Sequence, residues 1–557
     1  MNPSIPEQCD VCVIGSGAGG ACVAYSLAHA GFHTVILEKG IWRDDPRWEA
    51  KNDNDELYSR FRKTPLPGDK DVTLVKFEED KEYKRLLMGQ GYGVVGGPTV
   101  FYAATAWRFR EQDFMKGTLY GEKLRTICDK EKWPIPDLMD WPGGNFYAVL
   151  EKYYGLAERL LGVSGDWDAD PTNPFRSEAT YLPPLPFHRI NELLADGARK
   201  LGYRPFHIPM GISSIKNAVN GLDPCVSCNY CSGYPCVWNS KNSVDVALLM
   251  KVRDHENLVV ATNVSARRIE HRNGQCHSVT YSHNDSPQDK PRRLECRIVV
   301  LAAGGILSPR LLMLSGLDQT SHAVGRYLMF HLDEKREAIF PDVFEPGSVM
   351  VKKLAVMDRY FPGEDDGFIN HCSIQTGSKA GPVAFALRKP VPGEQPWGAH
   401  YLSSLRDYNR YYEVQTMVED LPQRDNRVEL DEGRLDRFGD MCARVTHLYH
   451  PMDKAAVDKT LERIEELIRA SGGEPVGDRP NKPKPSGSHL MGTLRMGTSP
   501  ENSAVDFYCR LHDVKNLFVA DGSVFSTSAG LNPALTIQAN AFRVADKIIN
   551  LAKAGDL

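Results

Sequence analysis

Apolar and polar positions near the N-terminus follow the order strand, glycine-rich turn, helix, strand. An apolar run over residues 10–14 predicts a buried strand, and residues 21–30 carry apolar side chains at helical spacing up to Gly31. A second apolar run over residues 34–37 predicts the next strand. Such a unit is typical of a parallel sheet with helices packed on it.

The rest of the chain mixes helices with short strands. Amphipathic patterns predict helices over residues 145–163, 187–201, 453–470 and 534–551. Strands are predicted within residues 257–301 and 516–519, whereas residues 335–450 show strand-like runs without a recognisable motif. Pro and Lys crowd residues 479–485, which we interpret as a linker. The predicted fold class is therefore α/β with α+β character.

The chain of 557 residues is too long for one compact core. Because the candidate motifs lie near both ends and in the middle, we predict a Rossmann-like cofactor-binding domain assembled from discontinuous segments. Its predicted segments are residues 1–145, 220–332 and 486–557. A substrate-binding domain with a mixed or antiparallel sheet and helices is predicted from residues 146–219 and 333–485.

Charge and composition exclude several classes of protein. The chain has 67 basic and 72 acidic residues, so its net charge of −5 disfavours nucleic-acid binding. No apolar run is long enough to insert into a bilayer, and the N-terminus lacks the pattern of a secretion signal. These features predict a cytoplasmic protein, unless a partner subunit carries it out of the cell.

The turn after the first strand contains Gly15, Gly17 and Gly20 in the pattern G-x-G-x-x-G. Glycines at this spacing let the backbone approach a pyrophosphate, whose charge lies at the N-terminus of the following helix. Glu38 ends the second strand, where a carboxylate accepts hydrogen bonds from a ribose. The pattern predicts a dinucleotide site, with Ala18 and Lys39 as neighbouring contacts, and leaves FAD and NAD as alternatives.

Other segments place small residues where a backbone can approach a ligand closely. They supply these further candidate cofactor contacts: Gly96, Gly97, Thr99, Tyr102, Ala303, Gly304, Asp521, Gly522, Asn532, Pro533 and Ala534. Pro533 suits the first turn of the closing helix, whose free N–H groups attract an anion. His489 and Asn532 together suit an alcohol, because one accepts the hydroxyl proton and the other stabilises the developing alkoxide.

This set of motifs resembles the glucose–methanol–choline (GMC) family of flavoenzymes over nearly the whole chain. The resemblance is strongest over residues 10–40, 91–109, 299–331 and 486–546. It implies FAD as the cofactor and hydride transfer to flavin N5, with His489 as the base and Asn532 at the second catalytic position. It also implies that Val264 holds the adenine and that Asp521 approaches the pyrophosphate and ribityl chain.

The sequence departs from the family pattern at the first signature, G-G-S-S-x-x-N. Pro98 and Thr99 replace the two serines, and Tyr102 replaces the asparagine beside flavin N5. No histidine occurs near Phe101, where some members attach the flavin, so non-covalent FAD is expected. In a later element, His331 matches the family, while Met329 and Phe330 stand where an acidic residue is expected.

Residues 101–109 resemble a bacterial branch of the family that acts on sugars and sugar-like molecules. That branch includes catalytic subunits of sugar dehydrogenases and oxidases of aminoglycoside biosynthesis. We therefore predict oxidation of a hydroxyl group of a sugar, an amino-sugar glycoside or a related small-molecule alcohol. Two alternatives stay open: a non-oxidative lyase or decarboxylase, and a dehydrogenase subunit that passes electrons through an iron–sulfur cluster to a redox partner protein. A homo-oligomer is also open.

Four of the 13 cysteines lie together, at Cys225, Cys228, Cys231 and Cys236. Their spacing resembles an iron–sulfur pattern, although the last interval is one residue longer than in bacterial ferredoxins. Structural zinc and free thiols are the two other interpretations. The scattered cysteines are interpreted as small buried hydrophobic residues. Lys241 is interpreted as a surface charge or a contact near the flavin.

Overall fold

A computed structural model describes residues 4–45, 73–77, 80–86, 93–127, 145–344, 352–377, 385–386, 397–479 and 488–557. Nearly all of the predicted linker over residues 479–485 lies outside this part of the chain. No helix in the described part is both long enough and apolar enough to cross a bilayer.

The strands, in chain order, are β1 (Gln8–Ile14), β2 (Thr34–Leu37), β3 (Leu74–Phe77), β4 (Lys84–Arg85), β5 (Phe206–His207), β6 (Leu258–Ala261), β7 (Val264–Arg272), β8 (Gln275–His283), β9 (Arg292–Leu301), β10 (His331–Ile339), β11 (Leu354–Val356), β12 (Cys372–Thr376), β13 (Tyr411–Glu419), β14 (Arg427–Leu435), β15 (Met441–His447), β16 (Glu474–Pro475) and β17 (Leu517–Val519). The helices are α1 (Ala18–His29), α2 (Lys116–Ile127), α3 (Phe146–Leu161), α4 (Arg189–Lys200), α5 (Val244–Ala247), α6 (Gly304–Leu314), α7 (Gly398–Arg406), α8 (Pro451–Ala470) and α9 (Ala534–Ala554).

The main sheet has seven strands in the order β6-β2-β1-β9-β8-β7, and β17 also pairs with β9, along Val299–Leu301. β6, β2, β1, β9 and β17 run parallel, while β7 and β8 form an antiparallel extension. Strands far apart in sequence are therefore neighbours, since β1 pairs with β9 and β9 pairs with β17. The sheet is Rossmann-like and is assembled from discontinuous segments, as predicted.

Helices cover the main sheet where parallel strands need apolar cover on both faces. α1 and α9 pack against each other, and α3 packs on α9. The contact between the N-terminus of α1 and the C-terminal segment is very close, because a Cβ at Gly19 would lie 1.5 Å from the carbonyl oxygen of Ala520. The residues after β17 are thus fixed beside the turn that follows β1.

A second sheet of six strands has the order β16-β10-β13-β12-β11-β5, and α8 packs on it. β10 and β13 pair along nine residues, from His331 opposite Glu419 to Ile339 opposite Tyr411. A smaller sheet has the order β14-β15-β3-β4. The division into the two domains proposed from the sequence stays a prediction, although these sheets follow the expected mixture of parallel and antiparallel strands.

Candidate active site

Residues from all three sheets surround a cavity of about 490 Å³. Glu38, Val264 and Arg267 line one part of it, and His489, Asn532 and Gln415 line another. All the predicted cofactor contacts line the cavity except Gly20 and Gly96. Its volume falls within the usual range for a small-molecule site.

The glycines of the first turn have different surroundings. Gly15 has φ +97°, in the left-handed region, and a Cβ there would lie 2.6 Å from the carbonyl oxygen of Ala302. A Cβ at Gly20 would lie 2.0 Å from the carbonyl oxygen of Gly15, so this glycine is needed for packing. A Cβ at Gly17 would meet nothing within 4 Å. The start of α1 is therefore open toward the cavity at Gly17.

The Glu38 carboxylate fastens this turn to the end of β2. Its Oε2 accepts hydrogen bonds from the backbone N–H (2.9 Å) and the hydroxyl (2.6 Å) of Ser16, and its Oε1 accepts one from the N–H of Gly40 (2.7 Å). The N–H of Gly96 donates to the Ser16 hydroxyl at 3.1 Å. Ser16 thus joins the first turn to the segment that begins at Gly96.

Val264 lines the cavity near Glu38, but its backbone N–H donates to the Glu38 carbonyl at 3.0 Å. That N–H is occupied within the protein. Any adenine contact made by Val264 therefore falls to its remaining backbone and side-chain atoms.

Polar contacts hold the segment after Gly96 in place. The Thr99 hydroxyl donates to the Gly96 carbonyl at 2.7 Å and accepts from the N–H of Val244. The Tyr102 hydroxyl donates to the Asn242 carbonyl at 3.0 Å, and burial raises the pKa of this phenol. Thr99 and Tyr102 both line the cavity as well.

Lys241 is buried, so its interpretation as a surface charge is wrong. Its Nζ lies within 2.6–3.1 Å of four backbone carbonyl oxygens, which belong to Val100, Tyr102, Cys231 and Tyr234. Burial lowers its pKa to about 8. Lys241 therefore ties the cavity-lining segment at Val100 and Tyr102 to the cysteine loop.

Asp521 links β17 to the turn before α6. Its Oδ2 accepts from the Gly304 N–H (2.8 Å) and the Ser308 hydroxyl (2.5 Å), while its Oδ1 accepts from the N–H of Ser523 (2.9 Å). The carboxylate lines the cavity together with Ala303 and Gly522. Protein donors thus surround Asp521, which fixes the positions of two cavity-lining turns.

The N-terminus of α9 faces the cavity. Asn532, Pro533 and Ala534 line it, and the first helical bond runs from the N–H of Ile537 to the carbonyl of Pro533. The preceding N–H groups of the helix have no partner within the helix. This end of α9 therefore presents donors and partial positive charge to a bound anion.

His489 lies between two polar side chains. Its Nε2 is 3.4 Å from Asn532 Nδ2, and its Nδ1 is 3.0 Å from His331 Nδ1. Burial lowers the pKa of His489 well below its ordinary value, and the nearby His331 and Lys352 lower it further. A neutral imidazole at this position can accept a proton from a hydroxyl group.

Polar side chains on and next to the six-stranded sheet form a wall that the sequence did not reveal. Asp333, Lys335, Gln415 and Lys352 all line the cavity. Asp333 follows His331 by two positions on β10, so both face the same side of the sheet. Burial lowers the pKa of Lys352 to about 8. Asp333 Oδ1 and Gln415 Nε2 are buried without a hydrogen-bond partner.

The structure does not support an iron–sulfur cluster or zinc at the four clustered cysteines, which are two of the three interpretations of their spacing. Among the residues with described positions, no three Cys, His, Asp or Glu side chains are placed to share a metal ion. Cys228 is exposed, and Ser227 and Asn229 on either side of it have left-handed φ values of +55° and +63°. Cys231 is buried. Cys228 and Cys231 therefore lie in different environments, one at the surface and one in the interior.

Comparison with known proteins shows which family this chain resembles. Family models described as GMC oxidoreductase match residues 185–333 and 422–541. The 2-methyl-1,2-propanediol dehydrogenase of Mycolicibacterium austroafricanum is 30% identical, and the match covers 97% of this chain and 95% of that protein.

Two further relatives match the bacterial branch expected from the sequence. Paromamine 6'-oxidase of Streptomyces fradiae is 27% identical over 98% of this chain and 92% of its own. The fructose dehydrogenase large subunit of Gluconobacter japonicus is 25% identical over 98% of each chain. The crystal structure of formate oxidase shares the fold, with a TM-score of 0.66 and 15% identity, over 99% of this chain and 100% of that one.

Proposed function

The chain belongs to the GMC oxidoreductase family, and from that premise we propose that it oxidises a hydroxyl group of a polar alcohol, using non-covalently bound FAD. The observation that carries the proposal is the pair of His489 and Asn532, 3.4 Å apart in the wall of a cavity that also contains a dinucleotide-type turn. A proton acceptor and an amide donor at this separation suit one hydroxyl oxygen.

The hydrogen-bond donors and small residues that line the cavity suit FAD. The free approach at Gly17 and the N-terminus of α1 suit the pyrophosphate, and the acceptor capacity that Glu38 retains beside its three protein donors suits an adenosine ribose hydroxyl. The N-terminus of α9 suits the pyrimidine edge of the flavin, which becomes negatively charged on reduction. When bound, FAD supplies the hydride acceptor, its N5 atom.

The residues of the chain handle the proton and the charge. His489 accepts the hydroxyl proton of the substrate, and burial keeps this imidazole neutral and ready to do so. The Asn532 amide donates to the same oxygen as negative charge develops on it. Both side chains are held by protein contacts before the substrate arrives, which reduces the reorganisation that the reaction requires.

The polar wall supports a substrate with more than one hydroxyl group. Asp333 offers an unpaired acceptor, and Gln415 offers an unpaired donor. A hydroxyl group both donates and accepts, so polyols and sugars satisfy both side chains, whereas a long alkyl chain satisfies neither. For the same reason, the wall does not favour a decarboxylase that acts on long acyl chains. A cytoplasmic location, a homo-oligomer and a redox partner protein stay predictions.

The test is anaerobic reduction of the flavin by a panel of 2-methyl-1,2-propanediol, D-fructose, paromamine and 1-dodecanol. We expect at least one of the three polar compounds to bleach the flavin bands and 1-dodecanol to leave them unchanged. His489→Ala should slow this reduction by about 10²–10⁴-fold with FAD still bound. His277→Ala, at an exposed position of β8, is the control. Unchanged reduction in the His489 variant would remove this residue from the chemistry.

A further inference from the structure

We infer that His331 is a positioning residue, which fixes His489 in the tautomer whose bare Nε2 faces the substrate. The inference rests on the proposed function and adds to it the ring atom that takes the proton. It is carried by a chain of three polar contacts that runs from two backbone carbonyl groups through His331 to His489.

The first contact fixes the proton of His331. Its Nε2 lies 2.8 Å from the carbonyl oxygens of both Ser528 and Ala529. A carbonyl oxygen accepts hydrogen bonds and cannot donate one, so His331 Nε2 carries a hydrogen. The two carbonyl groups are held in place by the turn at Ala529, whose φ is +53°, and by the Ser528 hydroxyl, which donates to the Asp420 carbonyl at 3.1 Å.

The second contact transfers this constraint to His489. Burial lowers the pKa of both histidines, so each ring holds one proton near neutral pH. Because the proton of His331 is on Nε2, its Nδ1 is bare and acts as an acceptor. His489 Nδ1, 3.0 Å away, must therefore carry the other proton. His489 Nε2 is then left bare, and it lies 3.4 Å from the amide nitrogen of Asn532.

This tautomer suits the proposed proton transfer. The substrate O–H bond breaks as a new N–H bond forms at His489 Nε2. The positive charge that appears on the ring strengthens the hydrogen bond from His489 Nδ1–H to His331, because a charged donor binds a neutral acceptor more tightly. A ring with the opposite tautomer would present an N–H to the hydroxyl group and could not accept its proton.

Two variants separate positioning from simple packing. His331→Asn keeps an acceptor near the former Nδ1 position, whereas His331→Leu removes it at similar volume. We expect the limiting rate of flavin reduction to fall about 10²-fold in His331→Leu, within the range for loss of a general base. His331→Asn should recover at least a tenfold part of this loss. The probe is 2-methyl-1,2-propanediol or, if it reacts faster, another compound of the panel.

FAD content and melting temperature are measured in both variants. A packing role alone would change stability and leave the rate of the folded, FAD-loaded enzyme near that of the wild type. Equal rates in His331→Leu and the wild type, or equal losses in the two variants, would overturn the inference.

A spectroscopic test does not depend on turnover. In the holoenzyme labelled with ¹⁵N-histidine, bare and protonated ring nitrogens give well-separated signals, and His489→Gln identifies those of His489. We expect a bare Nε2 and a protonated Nδ1 in the wild type. A protonated Nε2 would overturn the inference. If no compound of the panel reduces the flavin, the proposed function fails, while this measurement still decides the tautomer.

Discussion

Glu158→Gln tests how the cavity-lining segment after Gly97 is anchored to the helical layer. Glu158 lies on α3 and is completely buried. Arg108 donates to both of its carboxylate oxygens at 2.7 Å, through Nε and Nη2, and Arg176 donates to Oε1 at 2.8 Å. The Glu158 carboxylate therefore neutralises charge on two buried guanidinium groups, and it connects Arg108 directly to α3.

The expected cost follows from what the substitution leaves behind. Glutamine keeps one acceptor oxygen, but it places an NH₂ group toward a guanidinium and removes the charge. Arg108 retains the partly buried Glu151, at 3.2 Å, whereas Arg176 loses its carboxylate partner. Breaking a buried pair by neutralising one partner costs about 3–5 kcal/mol. The exposed pair of Arg159 and Glu178 contributes about 0–1 kcal/mol, so Glu178→Gln is the matched control.

The assay is thermal unfolding of the holoenzyme followed by circular dichroism, with released FAD measured in parallel. We expect the melting temperature of Glu158→Gln to fall by roughly 3–4 °C and that of Glu178→Gln to change by about 1 °C or less. Earlier release of FAD is also expected, because residues 101–105 depend on the same anchor. Equal melting temperatures for the two variants would refute the claim that this buried network stabilises the fold.

The pH dependence of the anchor has a definite sign. Burial raises the pKa of Glu158, but the hydrogen bonds and charges of Arg108 and Arg176 outweigh it and leave the pKa below its ordinary value. A carboxyl group with a lowered folded-state pKa contributes stability above its unfolded pKa, about 4.3, and this stability is lost as the pH falls through the folded-state value. The difference between wild type and Glu158→Gln should therefore shrink in acid.

Three further predictions concern the cavity. Because burial holds the pKa of His489 well below 6.5, the rate of flavin reduction should be independent of pH from about 6.5 upward and should fall only in more acidic buffer; a rise centred near pH 6.5 would contradict this. Gly17→Ala should fold normally but bind FAD at least about tenfold more weakly, since its Cβ enters the space proposed for the pyrophosphate. Gly19→Ala should fail to fold stably, because its Cβ meets the Ala520 carbonyl. Titration of the apoprotein with FAD measures the first effect, and melting curves measure the second. Lys352→Met should lower kcat/KM for D-fructose by about 10–100-fold, the loss of one hydrogen bond to a charged group, with a much smaller effect on a monohydroxy alcohol such as ethanol in the same steady-state assay.

Local patterns predicted individual elements in both main sheets' layers. The strand predicted over residues 34–37 is β2 (Thr34–Leu37), and the helix predicted over residues 453–470 is α8, Pro451–Ala470. In both elements the apolar residues occupy the positions that are buried, so the sequence of each element alone is enough to predict it. The eight scattered cysteines in the described part of the chain are buried, as their interpretation as small hydrophobic residues required; Cys128 lies outside it.

The polar wall was not predictable in the same way. Every residue of β13 is buried, and its polar members, such as Gln415, look in sequence like the solvent face of an ordinary strand. Lys335 on β10 pairs with Gln415 on the neighbouring strand β13, and the two residues are 80 positions apart in the chain. Only the pairing of distant strands turns this face toward the cavity, so no motif within residues 335–450 could identify it.

Spacing is also less informative where the backbone decides the direction of a side chain. The cysteine pattern left an iron–sulfur cluster, structural zinc and free thiols open, because such a pattern specifies intervals and leaves the torsion angles between the residues undetermined. The left-handed residues Ser227 and Asn229 break the regular path on both sides of Cys228. Lys241 was misjudged for a different reason. It is a charged residue in a polar stretch, yet four backbone carbonyl groups from two loops surround its Nζ and it is buried.

Backbone N–H groups are the main donors that this site offers to an anionic cofactor, which explains why its glycines indicated the site in the sequence more clearly than its charged residues did. Glu38 and Asp521 line the cavity, and each carboxylate also accepts hydrogen bonds from protein N–H and O–H groups that hold the surrounding turns together. The N-termini of α1, α6 and α9 border the same cavity, at Gly17, Gly304 and Ala534. Helix N-termini attract phosphate and reduced flavin through backbone N–H groups. A site built from backbone donors needs small residues at fixed positions, and those positions are visible in the sequence.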